Sequence, residues 1–359
     1  MLPRVLRRYS FASTVKNKLP NFKDVAHAAN VSFATVSRVA TNSARVSPEI
    51  LHRVKEAAQK LGVDLQRKNK AKVIGFILSN RKLLHPFHSL LLAGAEAYCT
   101  DSEYNTLFLP IHYGAKVPWR ELQLPQILLR HDLVHGFILV GSNTQNLLDF
   151  LIHKRVRFAV LGNNMIGKWR ENEYDVAWFD DVRGAYEMTL HLQALGHRDI
   201  WYVGNCRLPW FARRFEGYRQ AMVEAGLAVR LSDIDGEKDE DVGYLATKPI
   251  LNRHDRVTAV FAGSDGTAQG VYKALWDSGF RVPIDVSVAG FDDLHAAGMN
   301  PALTSVHVFV EQVGRQLAQM LMNRIANPDF PAQRQIVPTQ LVKRESCVPI
   351  GVPDIAQLA

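Results

Sequence analysis

The sequence predicts an all-α helix-turn-helix headpiece joined to an α/β core of two lobes built on parallel sheets. Three observations point there. Between residues 21 and 63, short amphipathic segments carry paired helix-start and helix-stop signals. From residue 73 onward, short continuous apolar runs alternate with segments of helical length. The charge divides at the same place: residues 1 to 72 hold 15 Lys and Arg against 4 Asp and Glu, and the remaining 287 hold 28 against 31. The net charge of +8 therefore belongs to the N-terminal fifth. Such asymmetry is expected of a polyanion-binding module on a neutral domain, because phosphate neutralisation by Lys and Arg supplies much of DNA affinity.

Residues 1 to 20 contain five basic and no acidic residues and no apolar signal core after Arg8, so they read as a disordered basic extension. In NFKDVAHAAN, Phe22, Val25, Ala26 and Ala29 repeat at helical spacing, with Asn21 and Asp24 as N-cap and N3 of a first helix. Asn30 tolerates the left-handed backbone of a tight turn, and Ser32 caps a second helix, SFATVSRVA. A third helix, in VSPEILHRVKEAAQKLG, starts at Ser47 with Pro48 at its first position. It places Ile50, Val54, Ala57, Ala58 and Leu61 on one face and stops at Gly62.

Residue choice in the second helix separates a DNA reader from a structural bundle. Val36 and Val39 are left for the core, while Ser32, Thr35 and Ser37 offer short hydroxyls to phosphates and Arg38 a fork suited to a guanine edge. KDVAHAANVSFATVSRV, continued through RVSPEILHRVKEAAQKLG, resembles the DNA-binding head of the LacI/GalR family of bacterial transcription regulators, whose members read KDVAxxAGVSxATVSRVLN. The resemblance implies that Phe33, Ala34 and Arg38 reach base edges in the major groove of double-stranded operator DNA, and that Ser32, Thr35 and Ser37 contact phosphates. Asn30 replaces the usual turn Gly, and Ala40-Thr41 replaces Leu-Asn.

Residues 64 to 72, DLQRKNKAK, form a short basic linker. Family members carry a longer segment with a YxPNxxAxxL pattern that folds into a minor-groove hinge helix. The pattern is missing here, so Arg67, Lys68, Lys70 and Lys72 are expected to run along the DNA as a charged strap, with Leu65 the only candidate wedge.

The core, residues 73 to 350, is read from VIGFIL, NTLFLP, HGFILV, RFAVLG, DIWYVG, VTAVFAG and DVSVAGF, taken as buried parallel strands with helices on both faces. Ligands bind such sheets at the carboxyl ends of the strands. Those loops run SNRKLLHPFH, VGSNTQ, GNCRLPWFARRFEGY, GSDGTAQG and FDD, a mixture suited to a hydroxylated small molecule with Trp210 or Phe87 as a stacking face. HPFH, RRFEGY, GSDGTAQG and VPIDVSVAGFDD resemble the same family's NPFF, RxxGY, ANDxxAxG and VPxDVSVxGFDD. That resemblance implies a periplasmic-binding-protein-like core with a sugar-type effector between its lobes. It places Phe87, Arg214 and Asp292 on effector-contacting positions, and Ser264 and Asp265 on the neighbouring strand-end pair.

Catalysis and cofactors are not expected. The glycines at 263, 266 and 270 do not form G-x-G-x-x-G, neither a phosphate-binding G-x-x-x-x-G-K-[ST] nor a G-x-S-x-G occurs, and HPFH reads as a loop without metal-ligand spacing. Cys99, Cys206 and Cys347 lie far apart and read as reduced, buried thiols. No window approaches the ~18 apolar residues of a membrane span. The expectation is a cytoplasmic, nucleoid-associated repressor. A transport-type solute receptor without DNA function is the alternative that the basic headpiece argues against. Residues 351 to 359 form a tail without the apolar heptads of a tetramerising helix, so a homodimer reading two half-sites is expected.

Overall fold

The computed structural model describes residues 20–41, 46–65, 72–81, 85–167, 170, 172–252 and 257–351. The chain divides near residue 70 into two units. The N-terminal extension, the strap residues Arg67, Lys68 and Lys70, and the tail beyond residue 351 lie outside the described residues.

In the first unit, α1 (Phe22–Ala28) starts in a full capping box: the Asn21 side chain accepts from the Lys23 amide, and Asp24 accepts from the Asn21 amide at 2.7 Å. Asn30 turns the chain at φ +49°, and the Arg53 guanidinium donates to the carbonyls of Ala29 and, at 3.0 Å, Asn30. This contact holds the turn in place without the usual glycine. Helix α2 (Phe33–Thr41) follows, and α3 (Pro48–Leu61) runs from the Ser47 cap to Gly62 at φ +65°. Val25, Val36, Val54 and Ala57 close the small core, and Leu65 joins them at 9% exposure.

That placement corrects the reading of Leu65 as a wedge, because in the free headpiece its side chain is a core component. Leu65→Ala is expected to cost the headpiece about 2 kcal/mol, the low end for a buried leucine, in thermal unfolding followed by circular dichroism. A change below about 0.5 kcal/mol would return the side chain to a DNA-side role.

The second unit opens with β1 (Lys72–Ser79), α4 (Pro86–Asp101), β2 (Tyr104–Ile111), β3 (Gly136–Gly141), β4 (Asn143–Thr144), α5 (Gln145–His153), β5 (Phe158–Leu161), β6 (Met165–Ile166) and β7 (Asp175–Phe179). It continues with α6 (Asp181–Ala194), β8 (Ile200–Gly204), α7 (Pro209–Glu224), β9 (Arg230–Asp233), α8 (Asp239–Asn252), β10 (Ala259–Ala262), α9 (Asp265–Trp276) and β11 (Ser287–Asp292). The last elements are β12 (Thr304–His307), α10 (Val310–Ala326), β13 (Arg334–Val337) and β14 (Gln340–Val342). One lobe carries a parallel sheet in the order β13-β7-β5-β3-β1-β2. The other has the order β14-β12-β11-β10-β8-β9, parallel except for the antiparallel β12–β14 pair.

The lobes are not consecutive in sequence. The chain crosses between sheets after β7, after β12 and after β13, so α10 packs on α4 in the first lobe although it follows most of the second. Those two helices approach backbone to backbone. A Cβ on Gly94 would lie 2.0 Å from the Glu311 carbonyl oxygen, and one on Gly314 would lie 2.1 Å from that of Leu91.

Each apolar run named from the sequence is a strand, but the largely buried β7 (DVAWF) was not named, nor were the short β4, β6 and β14 or the more polar β9, β12 and β13. The edge strands β9 and β13 are half exposed, while β12 is the buried TSVH, in which the alternation signal is weak. The connection from β2 to β3 contains short 3₁₀ turns at Trp119–Glu121 and Gln126–Leu129 in place of a helix, because Pro118 and Pro125 interrupt it. HPFH is no loop: His85 caps α4, accepting from the Phe87 amide, and His88 sits in the first turn. Cys99 and Cys347 are buried, but Cys206 is only half-buried, which corrects the reading of three buried thiols.

Candidate DNA-reading helix and effector cleft

The exposed face of α2 carries Phe33, 52% exposed, with Ala34 and Arg38, while Val36 faces inward. Ser32 is exposed, and Thr35 and Ser37 are half-buried beside it. The Ser32 hydroxyl accepts from the Thr35 amide at 3.1 Å and lies 2.9 Å from the Thr35 hydroxyl. The cap thus orients the two hydroxyls that the family resemblance assigns to phosphate. An apolar ring, a small residue and a guanidinium on one face, flanked by hydroxyls, match the contacts of a recognition helix: apolar and bidentate contacts to base edges, hydroxyl contacts to phosphate.

In the core, the strand ends converge on Arg214, near the start of α7 and 2% exposed. Its Nε donates to Asp181 Oδ1 at 2.9 Å, Nη1 to the Gly263 carbonyl at 2.6 Å and Nη2 to Asp292 Oδ1 at 2.7 Å. The guanidinium lies 3.9 Å over the Phe291 ring. Asp181, at the crossover into α6, also accepts from Arg213 at 3.0 Å and Asn163 at 2.8 Å. One arginine thereby ties the ends of two second-lobe strands to a carboxylate at the lobe junction.

Burial opposes the charge on Arg214, and Asp292 and Asp181 more than offset it, holding the guanidinium above its ordinary range. Burial pushes the Asp292 carboxyl up to about 7; Arg214 pulls it down, and Asp265 pushes it up further. Asp292 also has a φ of +105°, a strained conformation that any residue but glycine adopts only when its surroundings enforce it.

Phe87, Trp210, Arg214 and Asp292 line one cavity. Phe87 packs on Phe179 at 5.9 Å between centroids. The other two predicted residues stand behind it. Ser264 caps α9 and donates to Asp239 Oδ2 at 2.8 Å. Asp265 is committed to Ser305 Oγ at 2.6 Å and to the Leu294 amide at 2.7 Å. Both act on the cleft through neighbours.

Sequence reasoning missed Arg81, His85, His88, Asn164, Phe179 and Asp239, which complete the lining. Arg81 was visible in SNRKLLHPFH, a strand-end loop, but its reach to Trp210 was not. Burial pushes the His88 imidazole down to about 3, so the ring is neutral at physiological pH. The cavity is ≈ 30 Å³, room for two or three waters at the ~10–15 Å³ each requires. A sugar is admitted only when the lobes part or Arg81 and Trp210 give way.

Comparison with known proteins accounts for both units. Residues 21–63 match the profile of bacterial regulatory proteins of the lacI family, and residues 189–347 match a periplasmic binding protein-like domain. The ribose operon repressor of Haemophilus influenzae is 29% identical over 339 residues, covering 91% of this chain and 98% of its own. The chain belongs to the lacI family. Among solved structures of similar fold, a CelR transcriptional regulator complexed with cellobiose has a TM-score of 0.67 at 28% identity, covering 91% of this chain and 99% of its own. A LacI family regulator from Enterococcus faecium with bound ribose has a TM-score of 0.66 at 26% identity, covering 78% of this chain and 100% of its own.

This lacI-family chain is thus a sequence-specific DNA-binding regulator under small-molecule control. Among the described residues, no helix is long and apolar enough to cross a membrane and no group of His, Cys, Asp and Glu is arranged to hold a metal.

Proposed function

We propose that the protein is a cytoplasmic, nucleoid-associated repressor that binds a pseudo-palindromic operator as a homodimer and responds to a sugar-like metabolite between its core lobes. In this reading residues 21–63 read DNA, 64–72 connect, and 73–350 bind effector and dimerise. Ser32, Thr35, Ser37, Arg67 and Lys68 contact phosphates, while Phe33, Ala34 and Arg38 read bases. The observation that carries the reading is the Arg214 hub beside the cavity. An effector hydroxyl that donates to Asp292 competes with Arg214, so binding perturbs the contact tying the second lobe to Asp181 at the crossover. Such a ligand shifts operator affinity by the difference in its affinity for the two lobe arrangements, and by no more.

Relatives that bear the names of a ribose operon repressor and a cellobiose-bound regulator support a sugar-like ligand. The test uses an operator selected by the full-length protein from random DNA and a metabolite panel read by thermal shift and gel shift. Asp292→Asn is expected to abolish the effector response while effector-free operator affinity stays within about twofold. A normal ligand-induced thermal shift in that variant would refute the assignment of Asp292.

A further inference from the structure

The effector class is narrowed by a cation that the proposed mechanism leaves unused. Arg81 projects from the end of β1 in the first lobe and lies over the Trp210 ring of the second, 4.7 Å from its centroid. Among the described residues its guanidinium has no hydrogen bond and no ion pair. Removal from water pushes its pKa below the ordinary value, and Asp239 acts in the opposite sense. Asp239 is itself engaged by the Ser264 hydroxyl. The other arginine lining the cavity, Arg214, is already shared between two carboxylates and a carbonyl.

A second group in the same wall also lacks a partner. His88 is 4% exposed and lines the cavity, and its Nδ1 has no hydrogen-bond partner. Buried polar groups in folded proteins are nearly always satisfied, and exceptions call for a ligand or a functional reason. The stacking geometry indicates what kind of ligand. A guanidinium whose face rests on an indole keeps its in-plane N–H donors available, and their planar fork matches a carboxylate or a phosphate.

We propose that the effector is a hydroxylated anion, a sugar acid or a sugar phosphate, whose anionic group is held by Arg81 on its Trp210 platform while its hydroxyls donate to Asp292 and Asp239. The proposal rests on the regulator reading above and adds the ligand's charge to it. Trp210 then serves the ligand by positioning Arg81, not by stacking on a sugar ring. The ligands in the two similar solved structures, cellobiose and ribose, are neutral sugars, so the proposal sets this regulator's effector apart from them in charge.

The test titrates the full-length protein with matched pairs, following thermal shift and tryptophan emission. Gluconate, glucuronate, glucose 6-phosphate and ribose 5-phosphate are each set against the uncharged parent sugar. At least one anion is expected to bind tenfold or more tightly than its parent, and the carboxylate and phosphate arms separate the two sources. Arg81→Gln should remove that preference while leaving the ligand-free melting temperature nearly unchanged, and Arg81→Lys should restore part of it. The variant also discounts anions bound at the basic headpiece, whose contribution it leaves intact. A neutral sugar that matches or exceeds its acid, a preference that survives Arg81→Gln, or a panel in which no anion binds would each overturn the proposal. If a neutral sugar binds and changes operator affinity, only the anionic class fails and the regulator reading stands. If neither class affects operator binding, the regulator reading loses its support as well.

Discussion

Replacing Arg214 by Met is expected to destabilise the core by about 3–5 kcal/mol, because it leaves Asp292 buried with no cation and Asp181 with Arg213 alone. The magnitude follows from the asymmetry of buried charge. Forming the cluster removes three ionisable groups from water at a cost close to the attraction gained, but breaking it by deleting the cation leaves that cost uncompensated. Asp181 retains Arg213 at 3.0 Å and Asn163 at 2.8 Å, so the larger share of the penalty falls on Asp292. Arg214→Met combined with Asp292→Asn should therefore recover a substantial part of the loss. Urea unfolding followed by tryptophan emission measures both. A loss below about 1 kcal/mol in Arg214→Met, or no recovery in the double variant, would show that the cluster does not hold the lobes as described.

The second large effect is expected at the DNA. Arg38→Ala should weaken binding to the selected operator by roughly 1–3 kcal/mol, the discrimination supplied by one good bidentate base contact, and weaken binding to random DNA much less. The split between the two substrates decides the role: a side chain that contacts only phosphate would lose affinity for both alike and reduce the salt dependence of binding. Arg38 is exposed on the face of α2 that carries Phe33 and Ala34, so its removal leaves the packing of Val36 and Val54 intact. Gel shifts with unchanged discrimination would reject Arg38 as a base reader.

Legibility differed sharply between the two units. In the headpiece the features that start and stop the helices lie within a few residues of their partners: Asn21 with Asp24, Ser32 with Thr35, Ser47 with the Ile50 amide. Capping and periodicity are local rules, so the sequence could be read directly. The exceptions are Arg53, which reaches the turn carbonyls of Ala29 and Asn30 from α3, and Leu65, whose burial depends on how the chain folds back after Gly62. In the core seven strands were visible because continuous apolar runs mark sheets covered on both faces. The cleft was only partly so. The loops were identified by strand-end position, yet Ser264 and Asp265 stand behind the wall, while Arg81, His88 and Asp239 stand in it.

The sequence by itself determined the class of protein, through its resemblance to a known family, and the three headpiece helices with their start and stop residues and the continuous apolar strands, since these elements are specified by hydrogen-bonding and burial patterns over fewer than about ten residues. Tertiary structure alone decided which charges meet. Arg214 finds Asp181 across 33 positions and Asp292 across 78, and Arg81 reaches Trp210 from the opposite lobe. These meetings depend on sheet order and on three chain crossings between the lobes, which short-range patterns do not encode. Electrostatic partnership is a property of distance and burial in the assembled molecule, and both are set only once the strands have taken their places.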